Sequence, residues 1–230
     1  MKVTWLTQAG LLFETDKIKI MVDPYLSDSV GKKNPKKHRR IEVEERFFDS
    51  APDIVIITHD HLDHLDPETL DRLIGEAKKP LTVISPENAY LRLREYGGEH
   101  NYVLLAPHSV WSERGVTIYA VKAEHSDRTA AGYIIDDGEK TYYVSGDTLY
   151  NYDVIDDVLE LVDSGVDYAF LPINGVGNNM NAKDAADFAY EIGARCAVPV
   201  HWGLFDSLDP AEFDFEDSLI LTPWQETALD

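Results

Sequence analysis

The run Asp53-Ile54-Val55-Ile56-Ile57 feeds without a break into Thr58-His59-Asp60-His61-Leu62-Asp63-His64. A strand that ends in three imidazoles and two carboxylates presents them together at its carboxyl end, which favours folds in which strand ends converge on a site. Alternation along an extended backbone puts His59, His61 and Asp63 on one side, and a turn at Leu62-Asp63 swings His64 in beside them. Imidazole nitrogen and carboxylate oxygen are the donors that borderline and hard divalent ions prefer.

The same device recurs along the chain. The alternating strand 116–121 delivers Glu124-His125, strand 141–145 runs into Gly146-Asp147-Thr148, and strand 195–200 ends at His201-Trp202-Gly203. Around these, β-branched alternation predicts three short strands at 3–7, 11–15 and 17–22, an antiparallel meander closed by Asp23-Pro24-Tyr25. A helix opens at Asp66 as N-cap with Pro67 behind it and buries Leu70, Leu73, Ile74 and Ala77. Strand 81–85, helix 86–96 and strand 102–105 follow, then a turn over 111–115 into the strand that leads to His125. Asp137-Gly138 marks a hairpin between 132–136 and 141–145. Helix 153–163, ended by Gly165, turns Val154, Ile155, Val158, Leu159 and Val162 inward. Strand 167–173, a helix capped by Asn181 with Asp184 and running to Ile192, and a last strand at 219–221 complete an α/β pattern. Taken together, His59, His61, Asp63, His64, His125, Asp147 and His201 form a set that single structural histidines do not explain.

With 230 residues, one compact domain over 1–230 is expected. The 42 acidic against 21 basic residues give a formal charge of -21, which opposes loose binding to nucleic acid or an anionic membrane. A small anionic substrate would then need a local positive site, which bound cations supply. The lone Cys196 lies in an apolar run, so no intramolecular disulfide forms, and a reducing cytoplasm is the expected location. The amino terminus has no signal-peptide core, no apolar run approaches a bilayer span, and a homo-oligomer is left open by the composition.

One stretch departs from the acidic background. Lys32-Lys33-Asn34-Pro35-Lys36-Lys37-His38-Arg39-Arg40, within a long connection over about 26–50, carries six Lys or Arg in nine positions. It reads either as a basic clamp for an anionic substrate or as a solvated, mobile loop. Gly175-Val176-Gly177 lacks the third glycine of a dinucleotide fingerprint, so a substrate-contact loop with Asn174, Asn178 and Asn179 is the better reading. Tyr25, Trp202 and His108 are candidates for lining a pocket or for core packing alike.

The H-x-H-x-D-H motif, followed by single His, Asp and His at strand ends, resembles the metallo-β-lactamase superfamily over nearly the whole chain. The blocks 5–13, Asp23-Pro24-Tyr25, 58–67, Ser145-Gly146-Asp147-Thr148, 174–181 and Pro199-Val200-His201-Trp202-Gly203 look like its ascorbate-6-phosphate lactonase-like branch. The resemblance implies a four-layer αβ/βα sandwich with a metal site at the edge between two sheets. It implies His59, His61 and His125 on one ion, Asp63, His64 and His201 on a second, and Asp147 bridging. Asp23 would sit behind them, accepting a hydrogen bond from a ligand imidazole. Gln8 stands where related small hydrolases often carry a His.

Two divalent ions that share a water lower its pKa and hold the hydroxide as a nucleophile, which makes hydrolysis the default reaction. Asp63, as ligand and candidate proton shuttle, and the bridging Asp147 carry the catalytic duties, and Asp60 reads as a solvent-facing spacer. The donor set suits manganese, zinc or iron, and the lactonase resemblance leans to manganese. The expected activity is opening of a lactone or ester of a small phosphorylated, sugar-like molecule. The alternatives are a phosphodiesterase acting on a nucleotide or phospholipid headgroup, a metal or metabolite sensor without turnover, and a redox di-iron centre, for which no electron-partner domain fits this length.

Overall fold

The computed structural model describes residues 1–162 and 165–230. Three short strands, β1 (Lys2–Trp5), β2 (Leu11–Glu14) and β3 (Lys19–Val22), form the expected antiparallel meander. From β3 the sheet continues in parallel through β4 (Ile54–Ile56), β5 (Thr82–Ser85) and β6 (Asn101–Leu104). β4 is buried on both faces, which is why it reads as an unbroken apolar run rather than an alternation.

The second sheet holds β7 (Val110–Glu113), β8 (Val116–Lys122), β9 (Ala131–Asp136), β10 (Thr141–Val144), β11 (Tyr168–Pro172) and β12 (Cys196–Val200), in the order β12-β11-β10-β9-β8-β7. It is antiparallel from β7 to β10 and parallel from β10 to β12. β13 (Glu226–Ala228) returns to the first sheet beside β1 and completes its seven strands.

Inner faces of the two sheets meet in a core that includes Trp5, Phe13, Ile56, Tyr133, Tyr142 and Phe170. On the outside, α2 (Pro67–Leu70) and α3 (Glu87–Leu93) cover β4 and β5, while α4 (Tyr152–Leu161) and α5 (Ala182–Glu191) cover the second sheet. This is the four-layer αβ/βα sandwich of metallo-β-lactamase type. The side chains of Asn151 and Asn181 accept from the backbone N–H of Asp153 and Asp184 and so cap α4 and α5. Among the described residues no helix is long and apolar enough to cross a membrane.

Several expectations change. Residues 111–113, read as part of a turn over 111–115, belong to β7, whose half-exposed edge position hides its periodicity. The last strand is β13 and not 219–221, where Leu219 N makes a hydrogen bond to Ala197 O without a ladder. Leu159 faces outward and Asp163, the expected end of α4, lies outside the described residues. Asp66 precedes α2, but its carboxylate does not cap the helix. It accepts from the Thr69 hydroxyl, and that hydroxyl in turn accepts from Leu26 N at 2.8 Å.

The long connection is not a plain loop. It contains α1 (Ser29–Lys33) and single turns at Pro35–Lys37 and Glu45–Ser50, and it lays Phe47 with Ile41, Val43 and Phe48 against Leu6, Leu12 and Met21. Among the described residues α2 to α5 leave the outer face of the meander to this segment. Of its basic residues, Lys32 pairs with Glu68 at 2.6 Å. Arg39 turns inward and donates to the carbonyls of Tyr25 and Ser27 and to Thr7 Oγ1 at 2.8–2.9 Å. Lys33, Lys36, Lys37, His38 and Arg40 stay exposed.

At the opposite end of the strands, Asp53 gathers β3, β4 and the turn after β7. Its carboxylate accepts from Lys19 N at 3.0 Å and from Lys79 Nζ and Arg114 Nη1 at 2.7 Å each. Burial pushes its pKa up, but the hydrogen bonds and cations prevail and hold it below the usual carboxylate value. A depressed folded-state pKa means stability that is present above the unfolded value of about 3.9 and lost as pH falls through the folded one. Asp53→Ala is therefore expected to cost roughly 1–3 kcal/mol at pH 7, with the gap from the parent protein in urea midpoint narrowing below about pH 4.

Candidate metal centre

The carboxyl ends of β3, β4, β8, β10 and β12 converge at one end of the sandwich. The stretch after β4 does not stay extended. It closes a turn in which His64 N and Leu65 N both bond to His61 O, and this turn, not pleat alternation, sends its side chains to two groups. His59, His61, His125 and Asp147 place donor atoms within 4.8 Å of one another, and Asp63, His64 and His201 do the same. Asp147 stands between the groups. Its Oδ2 is 4.0 Å from His59 Nε2 and 3.9 Å from His125 Nε2, while its Oδ1 is 3.3 Å from His64 Nε2 and 3.4 Å from His201 Nε2.

The rings are held from behind. Asp23, fully buried, accepts from Thr58 N at 2.8 Å, Thr58 Oγ1 at 2.5 Å and His64 Nδ1 at 2.7 Å. Thr58 Oγ1 has spent its only hydrogen on Asp23, so it accepts from His59 Nδ1 at 3.0 Å. His125 Nδ1 donates to the Asn178 carbonyl at 3.0 Å, and His61 Nε2 faces Ser126 Oγ at 3.3 Å. Outward N–H groups fix the tautomer, so His59, His64 and His125 aim Nε2 lone pairs inward.

Buried polar atoms without partners test whether these residues fit a cation. His59 Nε2, His64 Nε2 and Asp147 Oδ1 are buried with no hydrogen bond at all. Three orphaned acceptor or ligand atoms pointing at a common space would cost several kcal/mol in a protein that put nothing there. A divalent ion with nitrogen and oxygen ligands resolves all three, and the donor set fits it. Burial and the neighbouring imidazoles push His59 down, and burial does the same to His125. His64 and His201 move the other way: burial opposes it, yet Asp147, with Asp23 or Asp63, holds them up. Burial would raise Asp147, but His201 and His64 hold it well below the carboxylate range.

Strained backbone accompanies this packing. Thr7, Gln8, Asp23 and His201 all adopt positive φ, between 42° and 69°. His201 N donates to Gln8 O at 2.8 Å, and Trp5 Nε1 donates to the same carbonyl at 2.9 Å. Gly146, at φ 59°, has no room for a side chain, since a Cβ there would sit 2.7 Å from Thr58 Cβ. The close approach lets Asp147, from the second sheet, reach the turn after β4 in the first.

Gln8 is buried and donates to Asp63 Oδ2 at 2.8 Å. Asn179 donates to Asp147 Oδ2 at 3.0 Å and Asn174 meets His201 Nδ1 at 2.8 Å, so two of the three loop asparagines turn toward the candidate ligands. Asp60 joins neither group; its backbone N donates to Asp127 and its carboxylate stands 4.0 Å from Arg92. Tyr25 is fully buried, Trp202 packs on Trp5 at 4.8 Å between ring centroids, and His108 turns to Asp157. Thr58 and Ser126 were visible in the sequence only as neighbours of histidines, with nothing to mark their hydroxyls.

The family description "Beta-lactamase superfamily domain" matches residues 19–202. A UPF0173 metal-dependent hydrolase of Methanosarcina mazei is 30% identical over 227 residues, covering 93% of this chain and 89% of that one. Among solved structures, the metallo hydrolase Igni18 of Ignicoccus hospitalis superposes with a TM-score of 0.78 at 22% identity, covering 98% of this chain and 97% of its own. An isothiocyanate hydrolase from Delia radicum gut bacteria gives 0.78 at 21% identity, covering 99% and 98%. Replacing Thr58 by Val removes the hydroxyl between Asp23 and His59, and is expected to weaken Zn²⁺ binding about 10–100-fold in competition with a chromophoric chelator.

Proposed function

Because the chain belongs to the beta-lactamase superfamily, we propose that it is a metal-dependent hydrolase of a small anionic substrate, a lactone or ester of a phosphorylated, sugar-like molecule. The observation that carries this reading is the pair of donor clusters sharing Asp147. In it, His59, His61 and His125 would hold one divalent ion, Asp63, His64 and His201 a second, and Asp147 both. Manganese and zinc suit the donors, and iron does too. Such ions, when bound, supply an acidified water and a Lewis acid for the substrate's electrophilic oxygen.

The chain's own residues have separate tasks. Asp23 and Thr58 keep His59 and His64 in one tautomer and orientation. Asn179 fixes the Asp147 carboxylate. Asp63, a fifth exposed where Asp147 is nearly covered, is the carboxylate placed to take a proton toward solvent. Arg40 adjoins the segment after His201, where its backbone N bonds to Leu204 O, and with the exposed Lys33, Lys36 and Lys37 of the same connection would attract a phosphoryl group in a strongly acidic protein. A cytoplasmic setting fits the single thiol, whose pKa burial raises to about 11.

The test is turnover by protein stripped with a chelator and reloaded with manganese or zinc, on a panel of sugar-phosphate lactones, phosphodiesters, carboxylic esters and an isothiocyanate. Lactone or ester opening is expected, lost on stripping, restored on reloading, and reduced by roughly 100-fold or more in His59→Ala. Preferential phosphodiester cleavage would replace the lactonase reading, and no turnover of any member with metal content unchanged in His59→Ala would end the hydrolase reading.

A further inference from the structure

The two clusters differ in what meets their donor atoms from outside. In the first, every imidazole turns its outer nitrogen to an oxygen, Thr58 Oγ1 for His59, Ser126 Oγ for His61 and the Asn178 carbonyl for His125, while His61 Nδ1 and His125 Nε2 face each other at 3.1 Å. In the second, His64 likewise turns its outer nitrogen to Asp23, but Asp63 and His201 meet amide NH₂ groups. Gln8 Nε2 is 2.8 Å from Asp63 Oδ2 and 3.1 and 3.2 Å from Nε2 and Nδ1 of His201. Asn174 Nδ2 is 2.8 Å from His201 Nδ1.

The direction of the Asn174 amide is dictated from further back. The Asp147 carboxylate only accepts, so Asn179 turns its NH₂ to it at 3.0 Å. The same NH₂ donates to Asn174 Oδ1 at 3.1 Å, which leaves Asn174 to present its own NH₂ to His201. An Nδ1 that accepts places the ring proton on Nε2. That nitrogen lies 3.4 Å from both Asp63 Oδ2 and Asp147 Oδ1, so the proton points where a cation would sit. Gln8 is not free to leave, since it is 2% exposed and its carbonyl is fixed by His201 N and Trp5 Nε1.

We propose that Gln8 and Asn174 are positioning residues that hold Asp63 and His201 in a hydrogen-bonded arrangement competing with a cation, so that the clusters load unequally. The cluster of His59, His61, His125 and Asp147 takes a divalent ion first and tightly. The cluster of Asp63, His64 and His201 takes one only when the Gln8 amide withdraws and the Asn174 amide turns over. The number of ions per chain is then set by the free metal concentration. This rests on the reading above that both clusters hold divalent cations.

The experiment is calorimetric titration of chelator-stripped protein with Zn²⁺, with elemental analysis of dialysed samples. The full chain is expected to show two steps separated by roughly 10–100-fold in affinity. Gln8→Ala, which removes a donor without adding charge, and Asn174→Asp, which gives His201 Nδ1 an acceptor, are each expected to tighten the weaker step about tenfold. His125→Ala should remove the tighter step, and Asn101→Asp, which adds the same charge at an exposed position on β6 away from both clusters, should leave the separation unchanged. Two equal steps in the parent protein, a separation unmoved by both Gln8→Ala and Asn174→Asp, or an equal narrowing by Asn101→Asp would overturn the inference and leave the hydrolase reading standing. No Zn²⁺ bound at either cluster would overturn both. Thermal melts check each variant's fold, and Asn174→Asp decides the matter should Gln8→Ala fail to fold.

Discussion

A fully buried carboxylate, Asp23, is the constraint on which the upper end of this sandwich depends. It ends β3 in a left-handed conformation and receives three hydrogen bonds from residues that follow β4. A buried charge without partners is among the costliest defects a fold can carry, so the chain beyond β4 is compelled to turn where Thr58 and His64 can reach it. Once that turn exists, His59 and His61 fall to one side and Asp63 and His64 to the other. The strain at Asp23, Thr7, Gln8 and His201 is tolerated because the hydrogen bonds at these positions over-determine the backbone.

The long connection shows how a sandwich can be completed without a helix. The second sheet is covered by α4 and α5, and β4 and β5 by α2 and α3, but over the meander lie the segment after Tyr25, Leu73 and Trp224. Phe47 and Trp224 stack at 5.4 Å over it. Arg39, one of the residues that make the segment look like an exposed basic run, is the pin that fixes it to Tyr25, Ser27 and Thr7.

The layered α/β architecture was legible because each main element carries its own period, and the candidate ligands because they cluster in the short stretches that follow strand ends. The meander, the parallel strands and the caps at Asn181 follow from local chemistry that a single sequence displays. What escaped is non-local. β7 is a half-exposed edge strand, and β13 pairs with the other end of the chain. The split of one histidine motif between two clusters, which the family resemblance implied and spacing alone did not, comes from a turn enforced by Asp23. Likewise the amides of Gln8, Asn174 and Asn179 look like ordinary polar residues until the fold sets them against Asp63, His201 and Asp147.

Both clusters draw their members from both sheets. The turn after β4 supplies His59, His61, Asp63 and His64 from the first, while β8, β10 and β12 deliver His125, Asp147 and His201 from the second. An ion in either cluster would thus be a clasp across the sandwich, bound more tightly by the folded chain than by the unfolded one. By mass action the cohesion of the two halves grows with the logarithm of free metal once that exceeds the dissociation constant, at about 1.4 kcal/mol per tenfold. Scarcity of the ion would then leave the two halves less firmly joined and the protein shorter-lived.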